Sequence, residues 1–402
     1  MNLRTNNKIF LLTIEPPLPF GGAAARWFYV LVTELRKRGY QVKIFSICSK
    51  PDEMIKAQTE FSDITCFMMP QNTGSQKIFQ KFNTLLRPFS YMFDSKILNA
   101  IEKELEAGQY DVIHLEQIWS GWAIPKKFRN ISVLNIHHFM SIDIEGGAKK
   151  NLRSRYEYWQ IERAEKYLSG LYPFVRTCSE RLERKIKEWH PTINFKMLMT
   201  VPVGIDSSLY QYIENEKRSD LKMVSLIASM NWYPGFSAAK RLLDKLWPQI
   251  KKEVPGAKLQ IIGWEAKKAL KDYLDLPDII IDENVPEVRP YFERANVFLY
   301  SPVRGSGMKI KILESMLFGI PVITTIEGIE GLEAKKINDL PAALVAEDDA
   351  GLISHAVRLL NNVDEQNKIR KNARDYIGQY CSPKNTVDGI LQIYKKILEQ
   401  GK

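Results

Sequence analysis

At 402 residues the chain is too long for one ordinary core, so two domains are expected. Its 45% hydrophobic and 26% charged residues match globular proteins, and no run of about 18 apolar residues is present to span a bilayer as a helix. The net charge of +10 implies attraction to anions, leaving nucleic acid, anionic lipid and nucleotide phosphates as candidates.

The first element is an apolar strand, Lys8 to Ile14, running into Glu15 and three prolines. Its apolar core is too short for a signal peptide. A helical period over Ala23 to Arg38 stops at Gly39, and Gln41 to Ile47 is a second strand. Asp111 to Leu115, Ser132 to His137, Phe174 to Cys178 and Met197 to Val203 read as later strands of one sheet. Polar residues Glu214 to Asp220 then interrupt the pattern, and a domain boundary is placed near Gly204 to Lys222. The second series comprises strands Lys222 to Ser229, Lys258 to Gly263, Asp278 to Asp282, Asn296 to Ser301, Pro321 to Thr325 and Ala342 to Val345. Helices are expected over Ser237 to Lys252, Met308 to Phe318 and Asp349 to Asn361. Such alternation predicts an α/β protein with two doubly wound parallel sheets and ligands at the carboxyl ends of the strands. The expected division is residues 1–205, residues 206–380, and a terminal helix over 381–402.

The four cysteines, Cys48, Cys66, Cys178 and Cys381, are scattered. They define neither a disulfide framework nor a zinc site, which favours a reducing cytoplasm. The most informative stretch runs from Tyr300 to Thr325: a strand end, the turn Gly305-Ser306-Gly307, a helix, then a new strand after Gly319. Backbone N–H groups at a helix N-terminus make a ready anion site. Lys309 falls in or near the first helical turn, where a cation opposes the helix dipole and a bound anion would remove the conflict. From spacing alone, a plain β–α turn with surface lysines explains the segment as well. Gly21-Gly22 likewise precedes a helix and permits close backbone approach by a phosphate or sugar, or is a simple turn. His137 and His138 end a predicted strand. No His, Asp or Glu cluster has metal-ligand spacing.

The segment around Glu314, Met316, Gly319, Pro321 and Val322 resembles the donor-site motif of the retaining nucleotide-sugar glycosyltransferases of family 4, which have the GT-B fold. The nearer likeness is to a subgroup associated with exopolysaccharide assembly. That likeness rests on the glycine-rich turn followed by Lys309, Lys311, Ile312, Leu313 and Glu314, and on Glu327 to Leu332 downstream. Pro16 to Gly22, Arg38 to Val42, Val201 to Asp206 and Ser229 to Pro234 resemble further family segments, so the likeness covers most of the chain. It implies two Rossmann-like domains facing across a cleft, with the terminal helix returning to the first domain. It also implies a transfer, with retention, from a nucleotide-diphosphate sugar to a glycan or lipid-linked acceptor, without metal or other cofactor.

By the same resemblance Glu314 binds the ribose, while Gly263, Asn284 and Val285 flank the nucleoside. Gly305, Ser306, Gly307, Met308 and Lys309 hold the donor together with Gly21 and Gly22. His137 carries a catalytic role by its place in that likeness, and Lys309 and Arg304 are the catalytic candidates for neutralising the diphosphate. Two departures stand out. Ser306 occupies the position of the family's first donor-site Glu, and the Arg and Lys usual after the second domain's first strand are absent from Asn231 to Ser237. Two alternatives remain: a sugar-nucleotide epimerase of the same fold, and a binding protein that has lost catalysis. Gly147 to Lys166 and Gln76 to Lys96 mix basic and aromatic residues. Each is a solvated helix face or a surface for an anionic membrane, which would make the protein peripheral on the inner membrane face. Nucleic acid is not an expected partner, because no binding motif accompanies the charge.

Overall fold

The computed structural model describes residues 7–71, 84–148, 151–213, 222–332 and 341–401. Two compact units share the chain. The first takes Met1–Ser141, Asn151–Gly204 and Pro383–Lys402, the second Ile142–Lys150 and Ile205–Ser382. Residues 76–83, 149–150 and 214–221, singled out above, lie outside the described residues.

The first unit carries a seven-stranded sheet in the order β3-β2-β1-β4-β5-β6-β7, and every pairing is parallel. The strands are β1 (Lys8–Thr13), β2 (Gln41–Cys48), β3 (Thr65–Met68), β4 (Val112–Glu116), β5 (Ser132–Ile136), β6 (Phe174–Thr177) and β7 (Met197–Thr200). β3 has no counterpart in the expected series. β1 is buried from Ile9 to Thr13, as a strand covered by helices on both faces must be. β7 stops at Thr200, short of the expected Val203. Pro202 has no N–H to give a ladder, and the Arg176 guanidinium takes the carbonyls of Val201 and Pro202 instead, at 2.5 and 3.0 Å. The helix Pro383–Leu398 packs in this unit, where Arg38 bonds Asp388 at 2.5 Å.

The second unit has six parallel strands in the order β10-β9-β8-β11-β12-β13. They are β8 (Met223–Ile227), β9 (Lys258–Gly263), β10 (Ile279–Glu283), β11 (Val297–Tyr300), β12 (Val322–Thr324) and β13 (Leu344–Val345). The helix expected over Ser237 to Lys252 begins earlier, at Tyr233, and is interrupted. A π-turn at Leu242–Leu246 precedes Trp247–Glu253, whose second residue is Pro248. Proline cannot donate the helical bond, and the wider turn absorbs the gap. Among the described residues no helix is long and apolar enough to cross a membrane.

In both sheets the strand order reverses partway, between β1 and β4 and between β8 and β11. These are the switch points where adjacent connections part and leave a crevice. Beside the second, where β8 and β9 end, the backbone is closely packed: a Cβ on Gly263 would lie 1.6 Å from the Ala228 carbonyl oxygen. That obstacle is main chain just past a neighbouring strand and cannot rotate aside. Gly263→Ala is therefore expected to cost about 3 kcal/mol in urea unfolding, with Gly256→Ala, which meets nothing, within about 1 kcal/mol of the parent. Equal stability of the two variants would contradict this packing.

Candidate functional site

The carboxyl ends of β8, β9, β10 and β11 bring most of the expected donor residues to one edge of the second unit. Gly263 ends β9 and Asn284 follows β10. The Asn284 N–H donates to the Gly263 carbonyl at 3.4 Å, and its side-chain oxygen accepts from the Glu265 N–H at 3.3 Å. Asn284 holds φ 54°, a left-handed conformation that asparagine tolerates better than most residues. Val285 is half-buried beside it. Trp264, between Gly263 and Glu265, exposes half of its surface (50%), and its carbonyl accepts from Met230 N–H at 3.0 Å.

The loop after β11 runs from Ser301 to Lys309 and enters the helix Ile310–Leu317. Lys309 is the N-cap of that helix, so the helix starts two residues later than expected. Its ammonium turns back onto the loop, donating to the Ser306 and Gly307 carbonyls at 2.9 and 2.5 Å. This accounts for a cation at a helix N-terminus: it satisfies loop acceptors, while the helix N–H groups keep their attraction for an anion. Gly307 sits at φ +71°, which a side chain would strain. A Cβ on Gly305 would make ordinary contact with Lys309 and Pro234. Met308 is half-buried, and Ser306 is buried with its N–H on the Asp143 carboxylate at 2.6 Å.

Arg304 is half-exposed between two carboxylates, Glu145 at 3.5 Å and Glu327 at 3.7 Å. A phosphate at Arg304 therefore has to share its cation with both. Glu314 is buried on the helix, one oxygen accepting from the Tyr210 hydroxyl at 3.0 Å. Tyr210 thus orients the expected ribose ligand, a role no local pattern announces. A cavity of about 970 Å³ opens nearby, lined by Tyr233, Phe236, Arg241, Val303 and Glu327 among others. It reaches the loop at Pro302 and Val303 and does not touch Gly263, Asn284 or Glu314.

Lys311, named above only as part of a motif, has the most perturbed amine of the segment. Burial, reinforced by the charge of Lys309, lowers its pKa to about 8, against the pull of Glu314. Its ammonium rests 4.6 Å from the centre of the Tyr300 ring.

In the first unit, Gly21 (φ +95°) and the N-cap Gly22 open the helix Ala23–Lys37 at the carboxyl end of β1. A Cβ on Gly22 would lie 3.1 Å from the Glu15 carboxylate. Burial, then the charge of Glu53, raises the Glu15 pKa, while a hydrogen bond from Gln117 lowers it. Glu15 was not among the expected site residues.

His137 lies just past β5, which ends at Ile136, so His137 and His138 do not alternate as strand neighbours. The His137 Nε2 bonds buried Glu116, whose other oxygen meets His114 Nε2 at 2.8 Å. Burial alone would push Glu116 up; the two imidazoles, His137 foremost, overcome it and hold the carboxyl well below its usual range. Burial pushes His137 itself down. A carboxylate facing the His137 Nε2 assigns that imidazole the Nε2–H form and leaves its Nδ1 as acceptor, whereas the His114 Nε2 faces both the Glu116 carboxylate and the Asn135 amide nitrogen at 2.8 Å. His114 Nδ1 bonds the Tyr394 hydroxyl.

Comparison with known proteins bears on both units. Residues 20–209 match the family model Glycosyltransferase Family 4, and residues 222–362 match Glycosyl transferases group 1. A Klebsiella pneumoniae relative, described as an uncharacterized 44.6 kDa protein in the cps region, is 24% identical over 182 residues. That match covers 43% of this chain and 44% of the relative, so the chain matches less than half of the relative's length. Sucrose-phosphate synthase of Thermosynechococcus elongatus superposes with a TM-score of 0.71 at 14% identity, over 98% of this chain and 99% of that one. HepE of Anabaena, solved with UDP and glucose, gives 0.64 at 13% identity over 98% of each chain. A TarM variant of S. aureus, solved with fondaparinux, α-GlcNAc-glycerol and UDP, gives 0.65 at 13% identity, over 96% and 99%.

The Lys311 amine generates a prediction. An unfolded lysine keeps its proton to about pH 10.4, whereas the native one releases it near 8. Between those values the unfolded chain binds more protons, so stability rises with pH across that window and the full strain is present below pH 8. At about 1.4 kcal/mol per pH unit, Lys311→Met should stabilise the protein by roughly 2–3 kcal/mol at pH 7 and abolish the rise between pH 8 and 10. Parallel pH–stability curves for the two proteins would contradict the assignment.

Proposed function

Because the chain belongs to the GT-B glycosyltransferases, we propose that it transfers a sugar from a nucleotide-diphosphate sugar to a glycan or lipid-linked acceptor. The observation that carries this reading is the loop Gly305 to Lys309 at a switch-point strand end, opening a helix that bears Glu314. The N–H groups at the N-terminus of that helix receive the diphosphate, and Lys309 and Arg304 offset the charge that develops on the leaving phosphate. Glu314, oriented by Tyr210, takes the ribose hydroxyls. Gly263, Asn284 and Val285 flank the base, and the exposed face of Trp264 offers it a stacking surface. His137 is the catalytic imidazole of the first unit, its tautomer set by Glu116.

The finer reading is a retaining hexosyltransferase of cell-surface polysaccharide assembly, whose diphosphate is neutralised by the chain's own cations. Support for the setting comes from the cps-region relative, and support for the donor class from the UDP present in the HepE and TarM structures. A peripheral place on an anionic membrane is proposed from the surface of helix Leu152–Ser169. Leu152, Tyr156, Trp159 and Tyr167 are exposed there, and Arg163 bonds the carbonyl of exposed Leu86.

Three experiments test this reading. In a thermal-shift screen of UDP-, GDP-, ADP- and dTDP-hexoses, one donor should raise the melting temperature, and Lys309→Ala should cut acceptor-dependent release of nucleoside diphosphate about 100-fold. Unchanged turnover in Lys309→Ala would overturn the catalytic assignment. Diphosphate release that requires acceptor separates transfer from epimerisation and from binding alone. For the membrane, sedimentation with phosphatidylglycerol vesicles but not phosphatidylcholine vesicles is expected, weakened about tenfold by Trp159→Ser with Leu86→Ser. Equal recovery with both lipids would count against it.

A further inference from the structure

The loop that carries the proposed function is held by a segment from elsewhere in the sequence. Asp143 lies on the helix Met140–Ala148, in the stretch that belongs to the second unit. It is buried, and its Oδ1 accepts from both the N–H and the hydroxyl of Ser306, at 2.6 and 3.0 Å. Two residues on, Glu145 approaches Arg304 at 3.5 Å. Gly146 packs on the Tyr233 ring so closely that a Cβ would lie 2.4 Å from the tyrosine oxygen. Three successive contacts therefore lay this segment along the loop and the N-terminus of helix Tyr233–Arg241.

Ser306 is flanked by glycines, so its own backbone has little to fix it. Its side chain ends at Oγ, and the Asp143 carboxylate oxygen lies within hydrogen-bond reach of both that hydroxyl and the Ser306 N–H, so a carboxylate from another segment already stands beside residue 306. Lys309 grips the Ser306 and Gly307 carbonyls, and Asp143 takes the Ser306 N–H and hydroxyl. Acceptors and donors of the same turn are held by opposite charges on separate elements. Burial and the charge of Asp143 both raise the pKa of Tyr300, the last residue of β11, so this charge is felt at the strand end.

We propose that Asp143 is the positioning residue of this loop: it supplies from another segment the carboxylate that residue 306 lacks, and through Ser306 it fixes the N–H groups that receive the donor's diphosphate. The inference rests on reading the loop as a sugar-nucleotide site.

The test is isothermal titration of the full chain with the nucleotide sugar that gives the largest shift in the screen, and with its bare nucleoside diphosphate. Asp143→Ala should raise the dissociation constant for both ligands at least tenfold with unchanged stoichiometry, and Asp143→Asn, which keeps one acceptor oxygen, about threefold. A purely structural role would lower the stoichiometry and leave the constant of the remaining sites unchanged. Ser306→Glu alone should also weaken binding, because two carboxylates then share one buried position. Combining it with Asp143→Ser should recover affinity to within about threefold of the parent. Unchanged constants in Asp143→Ala, or no recovery in the exchange variant, overturn the inference while leaving the site in place. A parent protein that binds no member of the panel removes the site itself, and the inference with it.

Discussion

A parallel sheet sends every strand's carboxyl end to the same edge, and where the strand order reverses, the two loops leaving that edge must part. In the second unit this happens between β8 and β11. The loops there cannot pair with each other as strands do, yet their backbone polar groups still need partners. Much of the site's composition follows from that accounting. Ser237 bonds the Pro234 carbonyl and accepts from Val303 N–H; Lys309 takes two loop carbonyls; Asp143 takes the Ser306 N–H. Closeness of backbone to backbone explains Gly263, and the left-handed turn explains Gly307.

The same accounting concentrates charge. Lys309, Lys311 and Arg304 lie within eight residues of chain, answered by Asp143, Glu145, Glu327 and Glu314 on other elements or further along the helix. Burial and the neighbouring Lys309 depress the pKa of the Lys311 amine. An arriving diphosphate would relieve that strain, which is a way for a site to favour an anionic ligand over water at a cost in stability. The first unit solves a related problem differently. Glu116 is fully buried and is held in its ionised form by the two imidazoles that meet it, and one of them, His137, is thereby fixed in a single tautomer.

The strands were legible because each is a short apolar run bounded by turn residues, and Lys258–Gly263 matches the expected bounds. β3 was not, since Thr65–Met68 is short and only half-buried throughout, so its pattern lacks contrast. The interrupted helix needed Pro248 to be weighed against a strong apolar period. Within the site, the glycine turn and the helix behind it announce themselves locally. Asp143 and Tyr210 do not. Asp143 lies 163 residues from Ser306, and Tyr210 lies 104 from Glu314. Such pairs leave no spacing to read; only folding brings them together. Lys311 stood in the motif, but its depressed pKa depends on burial that sequence does not display.

The central claim is that the amides from Gly305 to Leu313 are where the nucleotide sugar binds. Hydrogen exchange of those amides, with and without the nucleotide sugar that most stabilises the protein, tests it most directly. Slowed exchange concentrated in Gly305 to Leu313, with Gly263 to Glu265 alongside, is the predicted result. Protection confined to the cavity around Ile326 and Val345, or to the first unit, would contradict it.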